Sequence, residues 1–73
     1  MTKQLWASRD KDSISVVVIW EGKPVKGGYC DYIKAETEQR WFNAPAFIAN
    51  ALCEYIAPGE CKRVTLTVAG GQP

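Results

Sequence analysis

The 73-residue chain contains no histidine. That removes the commonest general base, the commonest metal ligand and every Ser-His or Cys-His nucleophile pair. Long hydrophobic runs are missing too. The longest, VVVIW at 16–20, falls far short of the roughly 20 apolar residues that cross a bilayer. The opening MTKQLWASRDKD lacks the apolar segment of a secretory signal. Together these absences predict a soluble, cytoplasmic protein (host cytoplasm if a phage encodes it) with no membrane partner.

Neither sign of charge prevails. Nine basic and eight acidic residues leave a net charge of +1. Residues 1–34 carry six basic and four acidic side chains, and residues 35–73 carry three and four. Neither half is a polybasic arm or an acidic decoy, so phosphate binding is not advertised as the main role. Glycine-rich phosphate loops of the standard spacings are absent as well, since Gly27-Gly28 and Gly70-Gly71 are isolated pairs.

The three cysteines are odd in number, which fits a reducing compartment better than a disulfide framework. Cys30, Cys53 and Cys61 lack the C-x-x-C knuckle and the fourth ligand that zinc would need. Cys53 and Cys61 flank a Pro-Gly turn and are spaced for a short disulfide loop, but free thiols are the expected state. Lys62 beside Cys61 is the one hint of an activated thiol. The carboxylate pairs Asp10/Asp12 and Glu36/Glu38 sit in or beside polar turns and read as solvated, with too few oxygen ligands for a calcium loop. This inventory predicts a non-enzymatic protein without a cofactor.

What is present is material for a fold. An apolar fraction of 47% with three tryptophans marks a globular chain, and the length allows one domain over 1–73. KQLWAS (3–8) predicts a short strand, and RDKDS (9–13) a polar turn. ISVVVIW (14–20), β-branched and apolar on both faces from Val16, predicts a central strand. EGKP (21–24) then predicts a hairpin, with Gly22 in positive φ and Pro24 ending the ladder. VKGGYCDYIKAE (25–36) reads as a third strand bent at Gly27-Gly28, with Tyr29, Asp31 and Ile33 on one face and Cys30, Tyr32 and Lys34 on the other.

TEQRWF (37–42) reads as a connector with at most one helical turn. Asn43 is then an N-cap, Pro45 falls in the first turn, and a helix runs to about Ala57 before the Pro58-Gly59 stop. Ala44, Phe47, Ile48, Ala51, Leu52, Tyr55 and Ile56 form its apolar stripe. KRVTLTV (62–68) alternates as a half-buried strand, and residues 69–73 read as a frayed tail. The expectation is a small two-layer α+β domain of order β-β-β-α-β: a mainly antiparallel four-stranded sheet with one amphipathic helix on one face.

Two neighbouring aromatics frame the functional question. Phe42 and Phe47 occupy the staple positions of a helix capped by Asn43, a structural role. Trp41 lies outside the helix stripe beside Arg40. It either lids a small core or, with Arg40, forms a binding patch, because tryptophan and arginine are enriched among interface hot spots. The patch would be extended by Tyr32 and Lys34 on the third strand and by Trp6 or Trp20, whichever is left unpacked. The predicted function is a small protein-binding module, an accessory or inhibitory protein acting on a larger protein partner. Phage and mobile-element inhibitors of host machinery are one such class. The alternative is single-stranded nucleic-acid binding through the third-strand face, where Lys26, Tyr29, Tyr32 and Lys34 mix basic and aromatic character. Homodimerisation through an uncovered sheet edge is compatible with both.

Overall fold

The computed structural model describes residues 4–28 and 31–65. Among these residues six strands and one helix follow in the order β1 (Leu5–Arg9), β2 (Val17–Glu21), β3 (Val25–Lys26), β4 (Tyr32–Ile33), β5 (Trp41–Asn43), α1 (Ala46–Cys53) and β6 (Cys61–Val64). Four of the strands form one antiparallel sheet in the order β5-β2-β1-β6, and β3 pairs with β4 as a separate two-stranded ribbon. The domain is a small α+β fold with one helix on a mainly antiparallel four-stranded sheet, as the sequence predicts. Among the described residues no helix is long and apolar enough to cross a membrane.

Two elements differ from the sequence reading. The stretch 25–36 is not a third strand of the sheet but the ribbon β3–β4, with Gly27-Gly28 leading into its turn and the Gly27 N–H donating to the Asp31 carbonyl at 3.3 Å. The place beside β2 is taken instead by Trp41–Asn43, within the stretch expected to be a connector. The cause lies in the ladder. β1 occupies one side of β2 and β5 the other, so no edge of β2 remains for residue 25. Gly22, at φ +99°, sends its N–H back to the Gln4 carbonyl at 2.9 Å, and Pro24 has none to offer. The Gln39 side chain fixes the alternative path. It is buried, accepts from the Ala35 N–H at 2.6 Å and donates to the Gly22 carbonyl at 2.8 Å.

The helix start also moves. Ala44 donates its N–H to the Val17 carbonyl at 2.8 Å, which holds Asn43 in the β-ladder and out of a capping role. Pro45 is the N-cap residue, with extended ψ and no side-chain cap. The staple positions therefore shift off Phe42 and Phe47. Phe42 sits in β5 opposite Ile19, and Phe47 is 75% exposed on the outer side of α1. The buried stripe is turned from the expected one: Ala44, Leu52 and Ile56 stay on it, Phe47, Ala51 and Tyr55 leave it, and Ala49 and Cys53 join it. Ala49 and Ile56 lie in the core with Leu52 and Cys53 packed against it, at the i, i+3, i+4, i+7 spacing of one helical face. Ala51 and Tyr55 face outward. After Cys53 the chain continues as a turn, with Tyr55 and Ile56 both donating to the Leu52 carbonyl at 2.9 and 2.8 Å.

Ala7, Val17, Ile19 and Val64 complete the core beneath the helix. The strand period of two puts these residues on one face together with Arg9 and Lys62. Both cations reach the helix end. Arg9 Nη1 donates to the Cys53 and Ile56 carbonyls at 3.1 and 2.8 Å, and Lys62 Nζ donates to the Tyr55 carbonyl at 3.1 Å. The last turn of α1 carries no basic residue of its own, so the sheet supplies the positive charge that its carbonyl end favours. Residue 9, read as the start of a polar turn, thus joins β1 to the helix. Gly59, at φ +83°, is the turn that allows it, donating its N–H to the Arg9 carbonyl.

The start of the first strand at Lys3, the placement of Tyr29 and Cys30, the continuation of the last strand over 66–68 and the tail at 69–73 lie outside the described residues. Cys53 and Cys61 are both free thiols. Cys53 packs against the helix-side core, while Cys61 pairs with Ser8, whose side chain points to the opposite face. The sheet stands between them.

Candidate functional site

The other face of the sheet is built from Trp6 and Ser8 of β1, Val18 and Trp20 of β2, Trp41 and Asn43 of β5, and Cys61 and Arg63 of β6. Register aligns the three tryptophans in one row, Trp6 opposite Trp20 and Trp20 opposite Trp41. Their environments differ. Trp20 is only 5% exposed, and its indole N–H donates to Ser8 Oγ at 2.8 Å, satisfying the one polar group the ring carries. Trp41 lies tilted against it, 6.1 Å between ring centroids, and remains 46% exposed. Trp6 is half-buried, with the Lys23 ammonium 5.3 Å from its ring centroid.

The β3–β4 ribbon overhangs part of this face, and a groove of about 450 Å³ lies between. This volume falls in the usual range for ligand sites, roughly 300–1,000 Å³. Trp20, Val18 and Ser8 line it from the sheet, Trp41 and Asn43 from β5, and Tyr32, Ile33 and Lys34 from the ribbon end. Asp10, Ser13, Val16 and Asp31 close the remaining side. Hence Trp41, Tyr32 and Lys34, three of the five binding residues expected from sequence, line one groove. Arg40 lies in a neighbouring depression with Glu38 and Gln39, which shares Lys34 and Trp41 with the groove. Trp6 stays on the same sheet face, beyond Trp20.

Electrostatics divide the groove. Burial pushes the Tyr32 phenol above its ordinary value, and Cys61, Asp31 and Glu60 act in the same direction, so the ring presents a neutral hydroxyl. Asp10 and Asp31 are close neighbours. Their hydrogen bond raises Asp10, while the Lys11 backbone N–H, donating to Asp31 at 2.8 Å, holds Asp31 below the usual carboxylate range. Burial raises the Cys61 thiol against the opposing pull of Lys23, which keeps it a poor nucleophile despite Lys62 next to it. Among the described residues there is no group of three or more Cys, Asp or Glu side chains placed to hold a metal ion.

Sequence reasoning missed the Asp10–Asp31 pair and paired Asp10 with Asp12 instead. Twenty-one positions separate the partners. They meet because β1 ends where the ribbon turns back, a long-range coincidence with no local signature. The sequence reading admits Trp20 to the binding surface only if unpacked; instead it is buried and floors the groove, and Trp6 does not line it. Compared with protein-family models, with curated proteins and with solved structures, the chain matches none of them.

Proposed function

We propose that this domain is a protein-binding module that docks a larger protein through the aromatic groove opposite its helix, and acts by occupying or blocking that partner. The observation that supports this reading is the convergence of Trp41, Tyr32 and Lys34 over a Trp20 floor. A half-exposed tryptophan seated on a fixed ring offers large contact area at small entropic cost, the usual make-up of a hot spot. The reading also agrees with how apolar the groove is, since Val16, Val18 and Ile33 share its walls.

Single-stranded nucleic acid is the weaker reading. Tyr32, Trp41 and Lys34 could stack and pair with it, but Asp10 and Asp31 on the same rim would repel a phosphate backbone. The test uses two variants that alter the groove from different walls, Trp41→Ala and Val16→Arg, and one on the outer side of α1, Ala51→Arg. A photo-crosslinking residue in the groove should capture one stoichiometric protein from native extract. That capture should be lost in both groove variants and kept in Ala51→Arg. Capture that ignores both groove variants, or oligonucleotide binding that falls steeply with salt, would replace the reading.

A further inference from the structure

The groove has a direction as well as a volume. The tryptophan row crosses the sheet at Trp6, whereas Asp10 lies four residues further along, roughly 13 Å at about 3.3 Å per residue. Lys34 and Trp41, shared with the depression around Arg40, mark the aromatic end. There the Lys34 ammonium donates to the Thr37 carbonyl at 3.4 Å. Asp10 and Asp31 mark the far end, and Val16, Val18 and the Trp20 ring form the apolar track leading to them.

Lys11 and Lys26 attract Asp31 from longer range, but among the described residues no cationic side chain comes within ion-pair distance of Asp10 or Asp31. The Lys11 N–H satisfies one oxygen of Asp31, and the hydrogen bond between the two carboxyls requires a proton on Asp10, which an incoming cation would displace. Two adjacent carboxylates repel when both are ionised, so an arriving cation lowers the energy of the pair. An apolar track ending in paired acceptors matches one natural side chain best. Arginine has an apolar stem, a planar cation that stacks on indole, and a fork of donors that spans two carboxylate oxygens. Lysine would bring a point charge without the fork.

We propose that the groove receives an arginine side chain of the partner protein, its stem along Val16, Val18 and Trp20 and its guanidinium at Asp10 and Asp31. The proposal rests on the protein-docking reading above. To test it, a random linear-peptide display library is panned on the full chain and counter-selected on Trp41→Ala and, separately, on Val16→Arg. The latter alters an exposed position and so guards against mere loss of folding in the former. Peptides that depend on the groove should share an arginine between apolar neighbours. Replacing that arginine by citrulline, which keeps its shape and removes its charge, should weaken binding about fivefold, the scale of a solvent-accessible ion pair. The double variant Asp10→Asn/Asp31→Asn, which keeps an oxygen for the Lys11 N–H, should weaken the arginine peptide by the same factor. It should leave the citrulline peptide unchanged, because the two losses are one interaction. Groove-dependent peptides without arginine, or indifferent to the aspartate variants, overturn the arginine proposal and leave the docking reading standing. Failure to recover any groove-dependent peptide removes both.

Discussion

The two faces of the sheet are made from alternate residues of the same strands, yet they solve different problems. Under the helix the first face is aliphatic and closed, and only toward its β5 edge does Phe42 stay half-exposed. Ala7, Val17, Ile19 and Val64 meet Ala49 and Ile56, and carbonyls at the C-terminal end of α1 and just beyond it are satisfied by Arg9 and Lys62. The opposite side carries three tryptophans and is roofed only by a ribbon whose strands are two residues long. Small side chains pack to completion under a helix, whereas large rings under a short roof leave a groove. One chain can thus separate its stability from its contact surface by strand parity alone.

Substitutions of decreasing effect sharpen that contrast. Ile19→Ala opens a cavity in the closed face and should cost about 2–5 kcal/mol in chemical denaturation, most of the stability of so small a domain. Arg9→Met removes side-chain hydrogen bonds to the Ile14, Cys53 and Ile56 carbonyls and should cost about 2 kcal/mol by the same measurement. Ser8→Ala strands the buried Trp20 indole N–H. It should cost about 1–2 kcal/mol while shifting Trp20 fluorescence, which shows that the open face also has a structural layer. Val16→Arg, at an exposed position, should change stability by less than about 0.5 kcal/mol while removing groove-dependent binding. A large loss of stability there would erase the division between the faces.

The smallest effect concerns Cys61. Its folded pKa lies above the unfolded one because burial disfavours the thiolate. The neutral thiol is the favoured folded form, so this contribution to stability is full below the unfolded pKa and is lost as pH rises through the folded one. Iodoacetamide should therefore label Cys61 more slowly than a cysteine peptide near about pH 8, with a rate profile displaced to higher pH. Equal rates would mean that the sheet face around Ser8 is open rather than covered.

How much of this is visible in the chain depends on range. The β-branched apolar run within 14–20 and the apolar spacing from Ala44 to Ile56 are local, and they point to a strand and a helix where β2 and α1 form. Which residues the stripe contains is not local: Ala49 and Cys53 are covered although the apolar spacing does not single them out. Phe47, Ala51 and Tyr55 are as apolar as their neighbours, and only the position of the sheet decides which residues are covered. Asn43 has the chemistry of a cap but is held by a ladder bond between Ala44 and Val17, a partner 27 positions away in the sequence. The groove was half legible: Trp41, Tyr32 and Lys34 stood out by residue type, whereas Asp10 and Asp31 come together only through topology. Arg9 looked like part of a turn because its three acceptors lie on other segments.

The strand order carries one last consequence. β1 is central and its outer neighbour is β6, the final strand described, so β1 must wait for residues 61–64 to be synthesised before its second edge is filled. Until then the nascent chain exposes a row of unpaired amides beside a tryptophan-rich surface, the kind of intermediate that holdase chaperones shield. Folding on this plan is governed by its most distant pairing, and swapping the order of synthesis by circular permutation would change its speed more than its endpoint.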